Sequence, residues 1–196
     1  MLRKAIYPKF ESLINRVAKA LSNKGFTANQ ITLLGLAINF VAGWLFATGH
    51  LFTGTIIAIV AGISDVLDGA VARVTKKQTK FGAFLDSCVD RYSDLFLFGG
   101  IAVYFARNYR GDLLILTLGV IAGAFVTSYA KARAENFIPH CGVGVVDRFV
   151  RTVVLLLGTL IPAFLPIAIW LLFAGTNATA IHRILYTRKK LSEPVE

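Results

Sequence analysis

The sequence predicts an all-α integral membrane protein with six transmembrane helices and an N-terminal amphipathic helix on the membrane surface. Of its 196 residues, 56% are hydrophobic, and the mean hydropathy of +0.65 is typical of membrane proteins and not of soluble globules. The apolar residues form long runs separated by short polar segments. We expect a single membrane domain over 1–196, in which 1–25 form the interfacial helix and 27–190 form the six-helix bundle.

The N-terminal segment carries six basic residues within its first 24 positions. Its apolar residues recur near helical spacing, as expected of a helix that lies in the membrane surface with basic side chains toward the lipid headgroups. The segment is charged and lacks a continuous apolar core, so we do not expect a cleavable signal peptide. Gly25 is expected to end this helix, and Thr27 or Asn29 to cap the next one.

Four helices are expected next, at 31–49, 51–73, 80–106 and 113–134. In the second, the uninterrupted apolar part runs only from Leu51 to Ser64, which is too short to cross a bilayer. The acidic residues that follow must therefore continue the helix and lie near one end of it. Gly119 and Gly123 give the fourth helix a G-x-x-x-G face, which favours close packing against another helix.

The run 152–175 could form one long helix, or two helices that turn near Pro162 and Pro166. The distribution of charge favours two helices. With six spans, both termini share one side of the membrane, and 18 of the 21 lysines and arginines lie on that side. The positive-inside rule then places this face in the cytoplasm, at the plasma membrane. Two helices fit only if the fifth begins near Gly142 and the sixth runs to about Tyr186.

Four acidic residues lie at the basic face, in the second and third helices: Asp65, Asp68, Asp86 and Asp90. The members of each pair are three or four residues apart, so each pair shares one face of its helix. Carboxylates cost roughly 2.5–3.5 kcal/mol each in a membrane helix, and a cluster of them repels itself. Divalent cations bound by oxygen ligands would relieve both penalties, so we expect a metal site.

An ion-pair network without a bound metal is the alternative interpretation of these acids. Arg73 lies two turns along from Asp65, but one arginine cannot balance four carboxylates. Asp94 continues the acidic stripe of the third helix by one more turn. It is expected to be a helix-packing acid or a further metal ligand.

The acids also form part of a longer pattern, D-x-x-D-G-x-x-A-R-x8-G-x-x-x-D-x-x-x-D, which runs from Asp65 to Asp90 without a departure. This pattern resembles the signature of the CDP-alcohol phosphotransferases, and some similarity extends over about 20–190. The resemblance implies a membrane enzyme, usually a homodimer, in which an alcohol attacks the phosphate of a CDP-linked lipid and CMP is released. It also implies Mg²⁺ or Mn²⁺ as the cofactor, with two ions bound.

The resemblance implies roles for individual residues as well. Asp65, Asp68 and Asp86 match the metal ligands of the family, and Asp90 matches the last acid, a shared ligand and the candidate catalytic base. The residues matched to the CDP-lipid site are Asn29, Thr32, Asp65, Asp68, Gly69, Ala72 and Arg73. Two of these, Asn29 and Thr32, belong to a segment in which Ala28 replaces the proline of the family.

Segments 127–135, 147–151 and 177–188 resemble prokaryotic phosphatidylinositol-phosphate synthases within that family. In the second segment, Phe149 and Val150 replace a proline and a glutamate. The resemblance implies CDP-diacylglycerol as donor and a phosphorylated polyol as acceptor: inositol 1-phosphate first, with glycerol 3-phosphate as the alternative. The residues expected around the acceptor phosphate are Ser128, Lys131, Arg148, Arg151 and Arg183.

Two alternatives concern function more broadly. Arg148 and Arg183 could instead extend along the helix surface to lipid phosphates. The chain could also be an intramembrane cation transporter, although a transporter would not need Gly69, Ala72 and Arg73 at fixed offsets. The formal charge of +10 on so apolar a chain indicates anionic membrane lipids and phosphorylated substrates as partners, and not nucleic acid.

Overall fold

The structure, a computed structural model, describes residues 2–192, with side chains from residue 12 onward. This range forms seven α-helices and contains no strand. They are α1 (Leu2–Asn23), α2 (Ala28–Ala47), α3 (Leu51–Val74), α4 (Lys80–Arg107), α5 (Gly111–Ala134), α6 (Arg148–Leu160) and α7 (Leu165–Ser192). The bounds of α2 to α5 confirm the four predicted helices to within three residues at each end.

Local capping chemistry sets where several helices begin. The Thr27 hydroxyl accepts a hydrogen bond from the Gln30 N–H, and the Gln30 side chain accepts one from the Thr27 N–H, which makes a capping box at the start of α2. Thr79 caps α4 by accepting a hydrogen bond from the Gly82 N–H. One of the two caps predicted for α2 is therefore confirmed, and the polar turn between α3 and α4 ends at a second capping threonine.

The first helix has an amphipathic arrangement over its described side chains. Ile14, Ala18 and Leu21 pack against α3, whereas Arg16 and Lys19 are exposed. The part of the prediction that concerns the basic side chains at positions 3, 4 and 9 lies outside the described side chains. The inner face of α1 therefore joins the bundle and leaves charge on the outer face.

Close backbone contact fixes the crossing of α2 and α4. A Cβ atom added at Gly100 would lie 2.1 Å from the carbonyl oxygen of Gly43, so neither helix can carry a side chain at the crossing. A similar contact joins α5 and α7, because a Cβ at Gly119 would lie 2.4 Å from the Phe173 ring and one at Gly123 would lie 2.7 Å from the Thr176 hydroxyl. The close packing predicted for the G-x-x-x-G face is confirmed.

Four of the described helices, α2, α3, α5 and α7, are long and apolar enough to cross a membrane. They make the chain a multi-pass membrane protein. The other two predicted spans are less typical. α4 has 28 residues but carries six charged ones, and α6 has only 13 residues.

The predicted start of the fifth apolar helix near Gly142 is wrong, because α6 begins at Arg148. Residues 142–147 are not helical, and Gly144 has a φ of +111°, which a right-handed helix does not allow. Asp147 then accepts a hydrogen bond from the Val150 N–H and caps the new helix.

The predicted break within 152–175 is confirmed. α6 ends at Leu160, and α7 begins at Leu165 after a turn that contains Pro162. The predicted end of the sixth helix near Tyr186 is too early, because α7 continues to Ser192. The apolar pattern stops near Tyr186, but residues 188–191 are good helix formers and no glycine or proline precedes Ser192, so the helix does not stop there.

Replacement of Gly100 by alanine should destabilise the protein, because the added methyl group would press on the Gly43 carbonyl. We expect a loss of about 1–3 kcal/mol in the free energy of unfolding, measured as a lower Tm in detergent. Gly99→Ala is the matched control on the same helix, since a Cβ there meets nothing within 4 Å. Equal Tm values for the two variants would contradict the close crossing.

Candidate active site

Three of the predicted metal ligands lie together between α3 and α4. Asp65, Asp68 and Asp86 each offer a carboxylate oxygen, and these oxygens lie within 4.8 Å of one another. Asp68 is buried and the other two are half-buried. Close carboxylates in such a position repel one another unless a cation lies among them. A set of carboxylate oxygens is also what hard divalent cations prefer, so these residues fit Mg²⁺ or Mn²⁺.

Asp90, the fourth predicted ligand, is not part of this group of three in the described structure. Its Oδ1 lies 2.6 Å from Nη1 of Arg148, and its Oδ2 lies 3.6 Å from Nη1 of Arg91. The Arg148 contact is an ion pair without the geometry of a hydrogen bond, so Oδ1 is buried with no hydrogen-bond partner among the described residues. Asp90 therefore lies beside the three clustered acids and is bridged to one of them, Asp65, by Arg148.

A cavity of about 300 Å³ lies beside the three acids, between the ends of α2, α3 and α4, and we call it the acidic cavity. All the residues predicted for the CDP-lipid site line it apart from Asp65: Asn29, Thr32, Asp68, Gly69, Ala72 and Arg73. Gly82 and Asp86 close the side formed by α4. The motif residues of three helices thus form one continuous surface.

Small side chains and one short hydrogen bond shape the floor of the acidic cavity. The Thr32 hydroxyl donates to Oδ2 of Asp68 over 2.6 Å, which fixes the orientation of that carboxylate. A Cβ at Gly69 would lie 3.3 Å from Nη1 of Arg73, and one at Gly82 would lie 3.3 Å from Oδ1 of Asn29. A larger residue at either glycine would therefore crowd a polar group that lines the cavity.

A second cavity, of about 240 Å³, is lined by residues of α4, α5, α6 and α7 and by Asp147; we call it the basic cavity. All five residues predicted for the acceptor phosphate line it: Ser128, Lys131, Arg148, Arg151 and Arg183. Asp90 also lines this cavity, whereas Asp86, one turn earlier on α4, lines the acidic cavity. Successive acids on one face of α4 therefore line the two cavities.

Two of the arginines in the basic cavity are held firmly by the protein. Arg151 is 2% exposed and forms an ion pair with Asp94, which is also buried. Arg183 donates from Nε to the Val143 carbonyl over 2.9 Å and from Nη1 to the Thr127 carbonyl over 2.8 Å. Of the two roles expected for Asp94, the structure favours the packing role.

The other two cations differ from this pair. Nη1 of Arg148 lies 2.9 Å from Oδ2 of Asp65 and 2.6 Å from Oδ1 of Asp90, so this arginine bridges α3 and α4. Lys131 is half-buried and has no ion pair or hydrogen bond within the described part of the chain. Lys131 is therefore the cation in this cavity best able to accept a new anionic partner.

The contacts of Arg148 and Arg183 disfavour the alternative in which they extend to lipid phosphates. Both guanidinium groups bond to groups inside the bundle, and Arg183 is 8% exposed. A side chain that reaches for the membrane surface would leave its charged end outside the protein.

Some residues of the two cavities were not predicted. Lys77, Gln78 and Thr79 line the acidic cavity, and Asp147 lines the basic cavity. The first three belong to the turn that joins the two acidic helices, and a turn in that position must lie at the mouth of the site. Their place in this turn could therefore have been used to predict that they line the site. Asp147 belongs to the segment 147–151, whose resemblance to the synthases was a signal, but no role was assigned to this residue.

The model of the CDP-alcohol phosphatidyltransferase family matches residues 26–181. An archaetidylinositol phosphate synthase of Pyrococcus horikoshii is 35% identical over 189 residues, which cover 95% of this chain and 96% of that protein. A phosphatidylinositol phosphate synthase of Streptomyces avermitilis is 33% identical over 208 residues, which cover 98% of this chain and 85% of that protein.

The fold is similar to solved structures of phosphatidylinositol phosphate synthase from Mycobacterium tuberculosis. The structure with CDP-DAG bound superposes with a TM-score of 0.88 at 29% identity and covers 94% of this chain and 99% of that chain. The structure in complex with manganese and citrate gives a TM-score of 0.87 at 30% identity and covers 93% of each chain.

Proposed function

This chain belongs to the CDP-alcohol phosphatidyltransferase family, and we propose that it transfers a phosphatidyl group from CDP-diacylglycerol to inositol 1-phosphate, releasing CMP. The observation that carries the proposal is that two acids one turn apart on α4 line the two cavities, Asp86 the acidic cavity and Asp90 the basic cavity. A metal-bound diphosphate requires acidic residues that hold the metal, and a phosphate monoester requires basic residues beside it. The acceptor is supported by the relatives from P. horikoshii, S. avermitilis and M. tuberculosis, whose names all specify an inositol phosphate lipid.

The CDP-lipid binds in the acidic cavity. Asn29, Thr32, Gly69 and Ala72 contact the nucleotide, and Arg73 bonds to the diphosphate, for which a planar guanidinium is well suited. The similar structure that holds CDP-DAG supports this placement.

Asp65, Asp68, Asp86 and Asp90 hold the Mg²⁺ or Mn²⁺ ions, of which we propose two. When bound, the ions bind diphosphate oxygens and offset the charge that develops on the leaving CMP. The three clustered carboxylates and the manganese complex of the similar synthase support this assignment. The enzyme therefore requires a divalent cation.

Ser128, Lys131, Arg148, Arg151 and Arg183 bind the phosphate of the acceptor, because several cations in one small cavity suit a dianion. Asp90 takes the proton of the attacking hydroxyl as general base. The acceptor oxygen then bonds to the phosphorus that carries the lipid, and the bond from that phosphorus to the CMP oxygen breaks. The position of Asp90 on the wall of the basic cavity supports its role as base.

We further propose that the whole chain is one CDP-alcohol phosphotransferase membrane domain with six spans, α2 to α7, and that α1 lies on the membrane surface. Both termini and the site then face the cytoplasm at the plasma membrane, because 18 of the 21 basic residues lie on that side. Membrane lipids surround the bundle, and the protein forms a homodimer, as is usual in the family.

A direct assay tests the function. The purified protein with CDP-diacylglycerol and Mg²⁺ or Mn²⁺ should convert inositol 1-phosphate to lipid and release CMP, measured by chromatography of both products. Inositol and serine should not react, because they bring no dianion to the basic cavity. Lipid formation with glycerol 3-phosphate but not with inositol 1-phosphate would contradict the proposed acceptor. Release of CMP in the presence of EDTA would contradict the metal requirement. A parallel reaction with CDP-archaeol compares the two lipid classes used by the relatives.

Asp86→Asn should abolish turnover without unfolding the protein. The substitution removes one metal ligand but also relieves repulsion among the acids, so the Tm in EDTA should be equal to that of the wild type or higher. Mn²⁺ at about 100 times its Kd should stabilise the wild type by about 2.7 kcal/mol and leave the variant unchanged. Asp112→Asn, at an exposed acid far along the sequence from the site, is the control and should behave as the wild type. A normal Mn²⁺ response in Asp86→Asn would contradict the site.

Lys131→Ala should raise the KM for inositol 1-phosphate about tenfold to a hundredfold, because a charge-assisted bond to the phosphate is lost. The KM for the CDP-lipid should change little, since Lys131 lines only the basic cavity. Arg133→Ala, on the same helix but stacked on Phe137, is the matched control for lost charge. Equal increases in both KM values would count against a role for Lys131 in acceptor binding.

A further inference from the structure

Arg148 is the cation of the basic cavity whose described ion pairs join two of the proposed metal ligands. Its Nη1 contacts Asp65 and Asp90 at 2.9 and 2.6 Å. Asp65 is at the same time one of the three clustered acids. The guanidinium and a divalent cation would therefore compete for the same carboxylate, and binding of the carboxylate to one weakens its binding to the other.

Arg151, one turn later on α6, provides the internal comparison. Its partner Asp94 lies outside the group of three acids, and its side chain is 2% exposed. The side chain of Arg148 is 32% exposed. Two arginines on one face of a short helix thus have different partners and different freedom: Arg151 is locked into the bundle, and Arg148 lies at an open boundary.

Arg148 also has a second position to occupy. It lines the basic cavity together with Ser128 and Lys131, so a change of side-chain rotamer would turn the guanidinium from the acids toward an anion in that cavity. The α6 backbone need not move, because Asp147 caps the helix and Arg151 anchors it.

We infer that Arg148 exchanges partners: it neutralises Asp65 and Asp90 when no metal is bound, and turns to the acceptor phosphate once a divalent cation has taken over those carboxylates. This inference rests on the proposed function and deepens it. It makes metal binding and acceptor binding mutually dependent. Because linkage between two ligands is reciprocal, each must tighten the binding of the other by the same factor.

The test measures metal binding without turnover. Mn²⁺ is titrated into the full-length protein in detergent and the free ion is followed by electron paramagnetic resonance, with and without inorganic sulfate, a tetrahedral dianion that keeps Mn²⁺ soluble. In the wild type, saturating sulfate should lower the Kd for Mn²⁺ about fivefold or more. In Arg148→Gln, Mn²⁺ should bind about fivefold or more tightly than in the wild type without sulfate, and sulfate should have no further effect.

Control variants separate this exchange from a general effect of charge. Lys131→Gln removes a cation from the same cavity that has no carboxylate partner, so it should not tighten Mn²⁺ binding in the absence of sulfate. Asp86→Asn should abolish Mn²⁺ binding and shows that the signal comes from the proposed site. Equal tightening in Lys131→Gln and Arg148→Gln would overturn the inference, as would unchanged or weaker Mn²⁺ binding in Arg148→Gln.

The wild type alone also tests the inference, should Arg148→Gln fail to fold. Sulfate that leaves the Mn²⁺ Kd unchanged would overturn it, and a reciprocal gain in both affinities would support it. Arg148→Lys, which keeps the charge but not the planar fork, should give an intermediate Mn²⁺ affinity. Failure of the proposed function looks different: the protein would then bind no Mn²⁺ or form no lipid, whatever residue stands at position 148.

Discussion

The compensation of negative charge at the junction of α3 and α4 is the constraint on which the rest of the bundle depends. Asp65, Asp68 and Asp86 lie within 4.8 Å of one another in helices that are otherwise apolar, which is unfavourable without cations. The bundle brings cations from α6 to this junction and leaves space beside the acids for a metal-bound substrate. The two cavities are the two sides of this one electrostatic arrangement.

The two ion pairs that connect α6 to α4 reflect a match between two helical repeats. Arg148 and Arg151 are three residues apart on α6, and their partners Asp90 and Asp94 are four residues apart on α4. Both spacings correspond to about one turn, so a single rotation of α6 satisfies both pairs. The buried pair sets the position of the helix, and the half-exposed pair remains available for ligands.

Most of the helices and the three-acid site could be predicted because their signals are local. The acids share faces at spacings of three and four, and Thr27, Thr79 and Pro162 mark helix boundaries by their own chemistry. The start of α6 could not be predicted in this way, because residues 142–146 are glycine and valine and their backbone bonds to a distant helix. The Val146 N–H donates to Thr179, and Arg183 donates to the Val143 carbonyl. The partners of Arg148 likewise depend on how α6 is oriented relative to α4, which local sequence patterns do not predict.

The shortness of α6 has a consequence for how two dissimilar substrates reach one centre. Thirteen residues rise only about 20 Å, less than the hydrocarbon thickness of roughly 30 Å. If α6 crosses the membrane, the non-helical residues 142–147 must cover the rest of its thickness. Non-helical backbone is tolerated within the membrane only where it contacts protein or water. A water-filled opening there would admit a polyol phosphate from the aqueous side, while the lipid donor would arrive laterally from the bilayer.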